Sequence, residues 1–163
     1  MITLRAFNAS DIELLIHYLN EPKVSQYITA AIAQPYTQED ALWWVNTGSG
    51  SDYIKAIEYN GIFVGCIAAT LGEFEYNRSA ELGYWLGYDY WNKGIATQAV
   101  TLFSQVLFQQ TKVTKLFVSV VSQNIASIRV LAKNGFTQEG LLKQASYKNG
   151  VYFDECLMAK LKP

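Results

Sequence analysis

The segment Tyr90-Trp91-Asn92-Lys93-Gly94-Ile95-Ala96-Thr97 links an apolar, strand-like run directly to an amphipathic helical pattern. Gly94 and Ala96 have small side chains, which would let a ligand approach the backbone closely. The first N–H groups of a helix have no partner within it, and the helix dipole favours an anion beside them. The segment lacks the Gly-Lys-Ser/Thr of a Walker A loop and the G-x-G-x-x-G of dinucleotide-binding proteins. It therefore predicts a diphosphate site of another kind, and an ordinary strand-to-helix turn is the alternative.

The regions that follow this segment predict alternating helices and strands. A strand over 80–88 precedes the segment, and a helix over 95–109 follows it with apolar residues at 3.6-residue spacing. Lys115–Val121 then reads as a strand and Ala126–Lys133 as a short helix, which Gly135 is placed to close. This order predicts parallel pairing with crossover helices.

Hairpins are predicted in the middle and at the end of the chain. Asn60-Gly61 separates the strand-like runs Tyr53–Tyr59 and Ile62–Leu71, and Asn149-Gly150 separates the last two strands. Asn-Gly tolerates the positive φ angles that a type I′ turn requires. The whole chain therefore predicts an α/β fold, in which a mixed sheet is flanked by helices on both faces.

Two helices are predicted between the first strand, over 2–6, and the first hairpin. Ser10 and Glu13 have the spacing of a capping box at the start of a helix over 11–20. Thr37-Gln38-Glu39-Asp40 has the composition of a second helix start. The segment between, over 21–36, is expected to be irregular.

Composition narrows the class of protein. The chain has 163 residues, of which 50% are hydrophobic and 17% charged, as expected for one globular domain over residues 1–163. Its net charge of −1 and the lack of a basic run argue against a nucleic-acid partner. No apolar run approaches the ~20 residues of a membrane span, and no leader pattern opens the chain. We therefore expect a cytoplasmic protein without a membrane partner.

Cysteine and histidine usage excludes several chemistries. Cys66 and Cys156 lie far apart in apolar runs, which predicts buried free thiols rather than a disulfide. His17 is the only histidine, and its helix position is more typical of a solvated side chain than of a catalytic one. No His/Cys cluster has metal-ligand spacing, so no metal is expected.

A second informative stretch runs from Asn124 to Phe136. Asn124 follows a strand and opens a helix, where an asparagine commonly caps the helix. The same side chain could hydrogen-bond an amide of a bound ligand. The sequence leaves both roles open.

Together the two stretches resemble the GNAT superfamily of N-acetyltransferases. Tyr-Trp-x-Lys-Gly-x-Ala-Thr from Tyr90 is followed, about 30 residues later, by Asn-x-x-Ser and then Lys-x-Gly-Phe from Asn124. The tail Glu139–Gln144 with Tyr147, Tyr152 and Asp154, and the opening Leu4–Phe7, are similar to the Rim-type ribosomal-protein N-terminal acetyltransferases. Asn77–Glu81 also resembles spermidine acetyltransferases of the same superfamily. The resemblance covers essentially the whole chain.

This resemblance implies a mixed sheet splayed between its fourth and fifth strands, with acetyl-CoA as cosubstrate. By the same resemblance, the pyrophosphate would be held by the backbone of Asn92, Lys93, Gly94, Ile95, Ala96 and Thr97. Tyr84, Trp85 and Leu86 would run beside the pantetheine arm, and Asn124 would contact that arm from the other side. The chain departs from the common pattern at Trp91, where many members of the superfamily have Gln or Arg.

Acetyl transfer to an amine needs a base, because alkyl amines have a pKa near ~10. Glu81 is the first candidate and Asp89 the second; the alternative for Glu81 is an exposed strand residue that faces solvent or pairs with Arg78. A backbone N–H near Leu86 would stabilise the oxyanion. Many members of the superfamily protonate the thiolate with a Tyr, but the matching residue here is Leu131. The resemblance then points to Ser127, which could instead only complete the helix cap.

The acceptor is expected to be a primary amine on a protein N-terminus or a small molecule, with a polyamine or an aminoglycoside as alternatives. Aromatic side chains of 21–44 and 145–154, with nearby carboxylates, could hold a cationic amine by charge and cation–π contact. These are Tyr27, Tyr36, Trp43, Trp44, Tyr147 and Tyr152, with Glu39, Asp40 and Asp154. They could equally pack in the core or form a homodimer surface. A catalytically weak CoA-binding sensor is the alternative from another functional class.

Overall fold

A computed structural model describes residues 1–163 as seven strands and five α-helices. The strands are β1 Ile2–Arg5, β2 Ile54–Tyr59, β3 Ile62–Leu71, β4 Ser79–Leu86, β5 Lys115–Val121, β6 Thr137–Lys148 and β7 Val151–Leu161. The helices are α1 Ile12–Leu19, α2 Pro22–Ser25, α3 Gln38–Trp43, α4 Ile95–Gln110 and α5 Ile125–Lys133. None of these helices combines the length and apolar character that crossing a bilayer requires.

The strands form one mixed sheet in the order β1-β2-β3-β4-β5-β7-β6. β4 and β5 are parallel, whereas β1–β2, β2–β3, β5–β7 and β6–β7 are antiparallel. The parallel register runs only from Ser79↔Lys115 to Glu81↔Phe117, although both strands continue beyond it. The predicted α/β fold with a mixed sheet is therefore confirmed.

Both Asn-Gly turns have the backbone that the sequence predicts. Asn60 and Gly61 have φ angles of 50° and 83°, and Asn149 and Gly150 have 51° and 78°. The helix predicted from Thr37 is also confirmed, because Thr37 and Asp40 form a reciprocal capping box. These features depend on residues adjacent in sequence, which is why a local pattern identifies them.

The capping box predicted for Ser10 and Glu13 is wrong. Asn8 caps instead: its Oδ1 accepts from the Ser10 N–H at 2.9 Å, and Asp11 Oδ2 accepts from the Asn8 N–H at 3.0 Å. Arg5 explains the shift, because its guanidinium donates to both carboxylate oxygens of the buried Asp11 at 2.8 Å. A 3-10 turn, Ala9–Asp11, therefore precedes α1.

Two further element boundaries differ from the prediction. The segment over 21–36 contains the short helix α2, which begins with Pro22 and is capped by the Glu21 side chain on the Lys23 N–H. Proline favours the first helical position because its φ is already helical and its missing N–H is not needed there. The fourth strand, predicted over 80–88, ends at Leu86, where a tight turn begins.

Residues 1–68 and 84–99 form the first of two compact units, called unit 1. Its core packs α1 and the segment around Tyr36 against β2 and β3, with aromatic rings meeting edge to face. The buried members are Phe7, Leu15, Tyr18, Leu19, Val24, Tyr36, Ala41, Ala56, Phe63 and Cys66. Cys66 is a free buried thiol, as predicted, and burial raises its pKa to about 12.

Residues 69–83 and 100–163 form unit 2. Helix α5 ends in a Schellman motif, in which Gly135 (φ 81°) donates to Ala132 O and Phe136 N–H to Leu131 O. This confirms the predicted role of Gly135. Cys156 in this unit is also a buried free thiol, as predicted. The interpretation of residues 1–163 as one domain stays a prediction.

Candidate active site

The loop between β4 and α4 is a compact turn built by backbone and indole hydrogen bonds. The Gly87 N–H donates to Val64 O at 2.8 Å, and the Tyr90 N–H donates to Gly87 O at 3.0 Å. Trp91 Nε1 donates to Leu86 O at 2.9 Å. The side chain at the position that departs from the superfamily pattern is therefore part of the turn that leads from the strand to the helix.

Beyond Trp91 the backbone is shaped to admit a ligand at the start of α4. Asn92 and Gly94 have φ angles of 60° and 75°, and a Cβ built on Gly94 would meet no atom within 4 Å. The Gln98 N–H donates to Gly94 O at 3.1 Å, so the N–H groups of the preceding helical residues point out of the helix end. Asn92, Lys93 and Gly94 are exposed. An exposed helix start beside a side-chain-free glycine fits a diphosphate.

The remaining residues of this predicted loop are positioned by packing. Ile95 is buried and anchors the helix, and Ala96 and Thr97 are half-buried. The Lys93 ammonium lies 5.4 Å from the centroid of the Tyr90 ring. Unit 1 therefore presents a cation directly beside the exposed helix start.

The strand residues predicted to accompany the pantetheine arm differ in exposure. Leu86 is buried, whereas Tyr84 and Trp85 are half-buried. The Trp85 ring packs edge to face against Phe63 and Tyr18, at centroid distances of 6.1 and 6.5 Å. Gly65 on β3 allows this approach, because a Cβ there would lie 2.2 Å from Trp85 O.

Tyr18 packs against this end of β4, a contact that was not predicted from the sequence. Its hydroxyl donates to Phe63 O at 3.1 Å, and its ring packs edge to face against Tyr90. Burial, the Tyr90 hydroxyl and the charge of Asp89 raise the pKa of the Tyr18 phenol. A tyrosine on the buried face of α1, one residue from the exposed His17, was the available signal.

Asp89 lies outside β4, on the 3-10 helix Tyr88–Tyr90, and is exposed. The prediction placed it at the far end of the strand, which instead ends three residues earlier. Its neighbour Tyr88 binds Lys23, whose ammonium donates to the hydroxyl at 2.8 Å. This contact ties α2 to the loop within unit 1.

In unit 2, Asn124 caps α5. Its Oδ1 accepts from the Ser127 N–H at 3.3 Å, so the capping alternative is present, and a ligand role stays a prediction. Ser127 is half-buried in the first turn of the helix. Leu131 is fully buried and belongs to the core.

Glu81 is exposed on β4, opposite Phe117 of β5. Of the two alternatives to a catalytic role, the solvent-facing side chain matches the structure. Pairing with Arg78 does not, because that guanidinium donates to Lys112 O at 3.2 Å and forms no ion pair with Glu81. A further candidate base, the half-buried carboxylate of Glu155 on β7, was not predicted from the sequence. Burial and the charge of Glu81 raise the pKa of Glu155. The sequence feature that could have identified Glu155 is an acidic residue among the apolar residues of a strand.

Comparison with known proteins decides the family. The model of the acetyltransferase (GNAT) domain matches residues 1–137, which is most of the chain. The chain belongs to the GNAT acetyltransferase family. It is accordingly an N-acetyltransferase, as predicted.

Relatives and solved structures agree with this GNAT assignment. An uncharacterized N-acetyltransferase p20 of Bacillus licheniformis is 26% identical over 166 residues, covering 99% of this chain and 93% of the relative. A ribosomal-protein-serine acetyltransferase of Escherichia coli is 34% identical over 85 residues, 52% of this chain and 48% of that protein. A GNAT-family acetyltransferase structure from Bacillus anthracis has a TM-score of 0.86 and 26% identity, covering 98% of this chain and 94% of that one.

The Rim-type branch is also represented among the solved structures. The ribosomal L7/L12 alpha-N-protein acetyltransferase RimL, solved in complex with coenzyme A, has a TM-score of 0.81 and 24% identity. The match covers 98% of this chain and 93% of that one, and shows a shared GNAT fold. The partial match to the ribosomal-protein-serine acetyltransferase is what supports the resemblance to the Rim-type branch inferred from the sequence.

The aromatic residues predicted to face the acceptor divide into core and surface groups in this GNAT protein. Tyr36 and Trp44 belong to the unit 1 core, and burial raises the pKa of Tyr36 to about 12. Trp43 is exposed on α3. Tyr147 and Tyr152 are exposed on the β6–β7 hairpin, and their rings lie tilted against each other with centroids 4.8 Å apart. Only the exposed residues can contact an acceptor without unpacking the core.

Proposed function

We propose that this protein transfers the acetyl group of acetyl-CoA to a primary amine by direct attack of the amine on the thioester. The observation that carries the proposal is the start of α4. There Gly94, at a φ of 75° and with open space around it, precedes an exposed helix N-terminus. This shape suits the diphosphate of coenzyme A, and it lies in the segment that resembles the GNAT pyrophosphate loop.

Donor binding is assigned to three groups of residues. The backbone N–H groups over Asn92–Thr97 bind the pyrophosphate. Tyr84, Trp85 and Leu86 run beside the pantetheine arm, where strand-like hydrogen bonds can hold its amides. Asn124 contacts the arm through atoms not used in capping α5. The exposed helix start, the half-buried strand end and the cap geometry support these roles.

The chemistry needs a proton acceptor and a proton donor. The acceptor ammonium first loses a proton to a carboxylate, because the neutral amine is the nucleophile. Its nitrogen then bonds to the thioester carbon, and a backbone N–H near Leu86 stabilises the oxyanion. The carbon–sulfur bond breaks, and Ser127 donates a proton to the leaving thiolate. The attacking nitrogen, positively charged after bond formation, loses its second proton, which restores the Ser127 hydroxyl and leaves a neutral amide. Glu81 and Asp89 are candidate bases from the sequence, and the structure adds Glu155.

The acceptor is proposed to be a protein N-terminal α-amine, as in the Rim-type branch, or a small amine such as a polyamine or an aminoglycoside. The ribosomal-protein-serine acetyltransferase relative supports the first choice. The exposed pair Tyr147 and Tyr152 supports either, because aromatic faces bind cationic amines of both kinds.

Calorimetric titration with acetyl-CoA tests donor binding, and a free-thiol assay across N-terminal peptides, polyamines and aminoglycosides tests transfer. We expect binding, followed by thiol release with one acceptor class. Gly94→Glu should abolish binding, because a carboxylate would occupy the anion site. Gly61→Glu is the matched control, since Gly61 has a similar φ of 83° and equally open surroundings in a distant hairpin. Unchanged binding by Gly94→Glu would contradict the loop assignment, and binding without thiol release would favour a CoA-binding sensor.

A further inference from the structure

Glu81 on β4 and Glu155 on β7 lie on the same face of the sheet within unit 2. Glu81 is the register partner of Phe117, and Glu155 is the partner of Val121. Partners on adjacent strands point to the same side, and residues four apart on one strand share a face. The β5–β7 register contains no irregularity between these positions, so the two carboxylates project from one surface.

Along β5, this face of the sheet is more accessible than the opposite face. Along β5 the exposed fraction alternates, with one set of side chains half-exposed and the other buried. The half-exposed set is Phe117, Ser119 and Val121, and the buried set is Leu116, Val118 and Val120. Because Glu81 and Glu155 share the face of the first set, an acceptor in solution can reach them.

Glu155 lies at the end of β5 that leads to Asn124. The Asn124 N–H donates to the carbonyl oxygen of Val121, the register partner of Glu155, at 2.8 Å. The register partner of Glu81 is Phe117, which lies four residues before Val121 on β5. At the usual strand rise, this separates the two partners by about 13 Å. Glu155 is therefore nearer than Glu81 to the helix start that carries Asn124 and Ser127.

Glu155 forms no ion pair with a lysine or an arginine. On the same face, Lys115 pairs with Glu139 at 2.5 Å, and Lys148 lies near the hairpin tip opposite Val151. The carboxylate of the adjacent Asp154 forms an ion pair with the Lys143 ammonium at 3.1 Å. Glu81 is the charged group that acts on Glu155, and together with burial it raises the pKa of that carboxyl. A carboxylate with a raised pKa binds a proton more readily near neutral pH.

We propose that Glu155 is the base that accepts the proton of the acceptor ammonium, and that Glu81 is a positioning residue that acts on Glu155 through its charge. This inference rests on the proposed acetyltransferase function and names the base for it. In the proton transfer, the N–H bond of the ammonium breaks and an O–H bond forms on Glu155. The amine keeps the electron pair and uses it to bond the thioester carbon, and the carbon–sulfur bond breaks. The nitrogen then loses its second proton, the thiolate gains one through Ser127, and Glu155 releases the first proton to water.

The pH dependence of kcat/KM for three variants tests this assignment. Glu155→Gln should lower kcat/KM by roughly 100-fold or more and remove the acid limb of the profile, since a general base contributes about 10²–10⁴-fold. Glu81→Gln should keep most of the activity at neutral pH but move the acid limb to lower pH, because the repelling charge is gone. Glu75→Gln, an exposed carboxylate in the loop before β4, is the control and should match the wild type.

Two measurements separate this inference from the proposed function. Calorimetric titration with acetyl-CoA should give wild-type affinity for all three variants, which also shows that they fold. Carbon NMR of the glutamate carboxyl groups should show the Glu155 midpoint fall in Glu81→Gln. An active wild type whose Glu155→Gln variant keeps its acid limb, or whose Glu81→Gln variant loses all activity, would overturn the assignment alone. A wild type that neither binds acetyl-CoA nor releases thiol would overturn both proposals.

Discussion

The indole Nε1 of Trp91 donates a hydrogen bond to the carbonyl oxygen of Leu86 at 2.9 Å. This bond spans the turn between β4 and the segment that enters α4. It connects the strand end proposed to hold the pantetheine arm with the loop proposed to hold the pyrophosphate. We therefore expect the tryptophan at this position, where many members of the superfamily have Gln or Arg, to act by ordering the loop.

Trp91→Phe tests that interpretation. The variant keeps most of the buried ring but loses the N–H, so the free energy of unfolding should fall by about 1 kcal/mol. Acetyl-CoA affinity should fall as well, because the loop is less ordered. Urea unfolding and calorimetric titration measure the two effects. Trp43→Phe, at an exposed position on α3, is the control and should leave both quantities unchanged. Full stability and affinity in Trp91→Phe would show that the bond is dispensable.

Gly87→Ala should disturb the packing of Tyr18 against the turn that follows β4. A Cβ on Gly87 would lie 2.7 Å from Cδ1 of Tyr18, whose ring is buried and hydrogen-bonded to β3. We expect a loss of about 1–3 kcal/mol in the free energy of unfolding, typical of overpacking a core. Gly83→Ala, on β4 just before this turn, would meet no atom within 4 Å and should be tolerated. Equal stabilities of the two variants in urea would contradict the close packing of Tyr18.

The start of α3 should contribute a pH-dependent part of the stability. Hydrogen bonds from the N–H and hydroxyl of Thr37 lower the pKa of Asp40. A carboxyl whose pKa is lower in the folded state stabilises the protein fully above its unfolded value, about 3.9, and loses this contribution as pH falls through the lowered value. Asp40→Asn should therefore flatten the dependence of Tm on pH below about 4. Asp52→Asn, at an exposed loop position, should keep the wild-type curve.

Ser104→Ala should stabilise the protein. The Ser104 hydroxyl is buried in α4 and has no hydrogen-bond partner, so folding removes it from water without compensation. An unsatisfied buried polar group costs about 1–3 kcal/mol, and alanine also favours the helix, so a gain of about 1 kcal/mol is expected. Ser51→Ala should show the opposite sign, because Ser51 accepts from the Tyr53 N–H. A loss of stability in Ser104→Ala, measured by urea unfolding, would show that the hydroxyl is satisfied in solution.

Elements with a local cause can be predicted from neighbouring residues alone. Asn60-Gly61, Asn149-Gly150 and Gly135 adopt the left-handed backbone that their residue types favour, and the strand Lys115–Val121 matches its pattern from end to end. The segment Asn92–Thr97 could also be singled out as a candidate diphosphate site, because a glycine before an amphipathic helix is a feature of neighbouring residues. The family follows from the spacing of two such segments.

Tertiary structure decided what depends on residues far apart in the chain. Arg5 binds the Asp11 carboxylate, and a 3-10 turn capped by Asn8 forms ahead of α1, an arrangement that no helix pattern contains. Glu155 shares a face of the sheet with Glu81 only because β5 lies between their strands in a particular register. Side-chain type and spacing predict local backbone geometry, but burial and charge at a given carboxylate depend on which strands pair beside it, and that is decided when the sheet assembles.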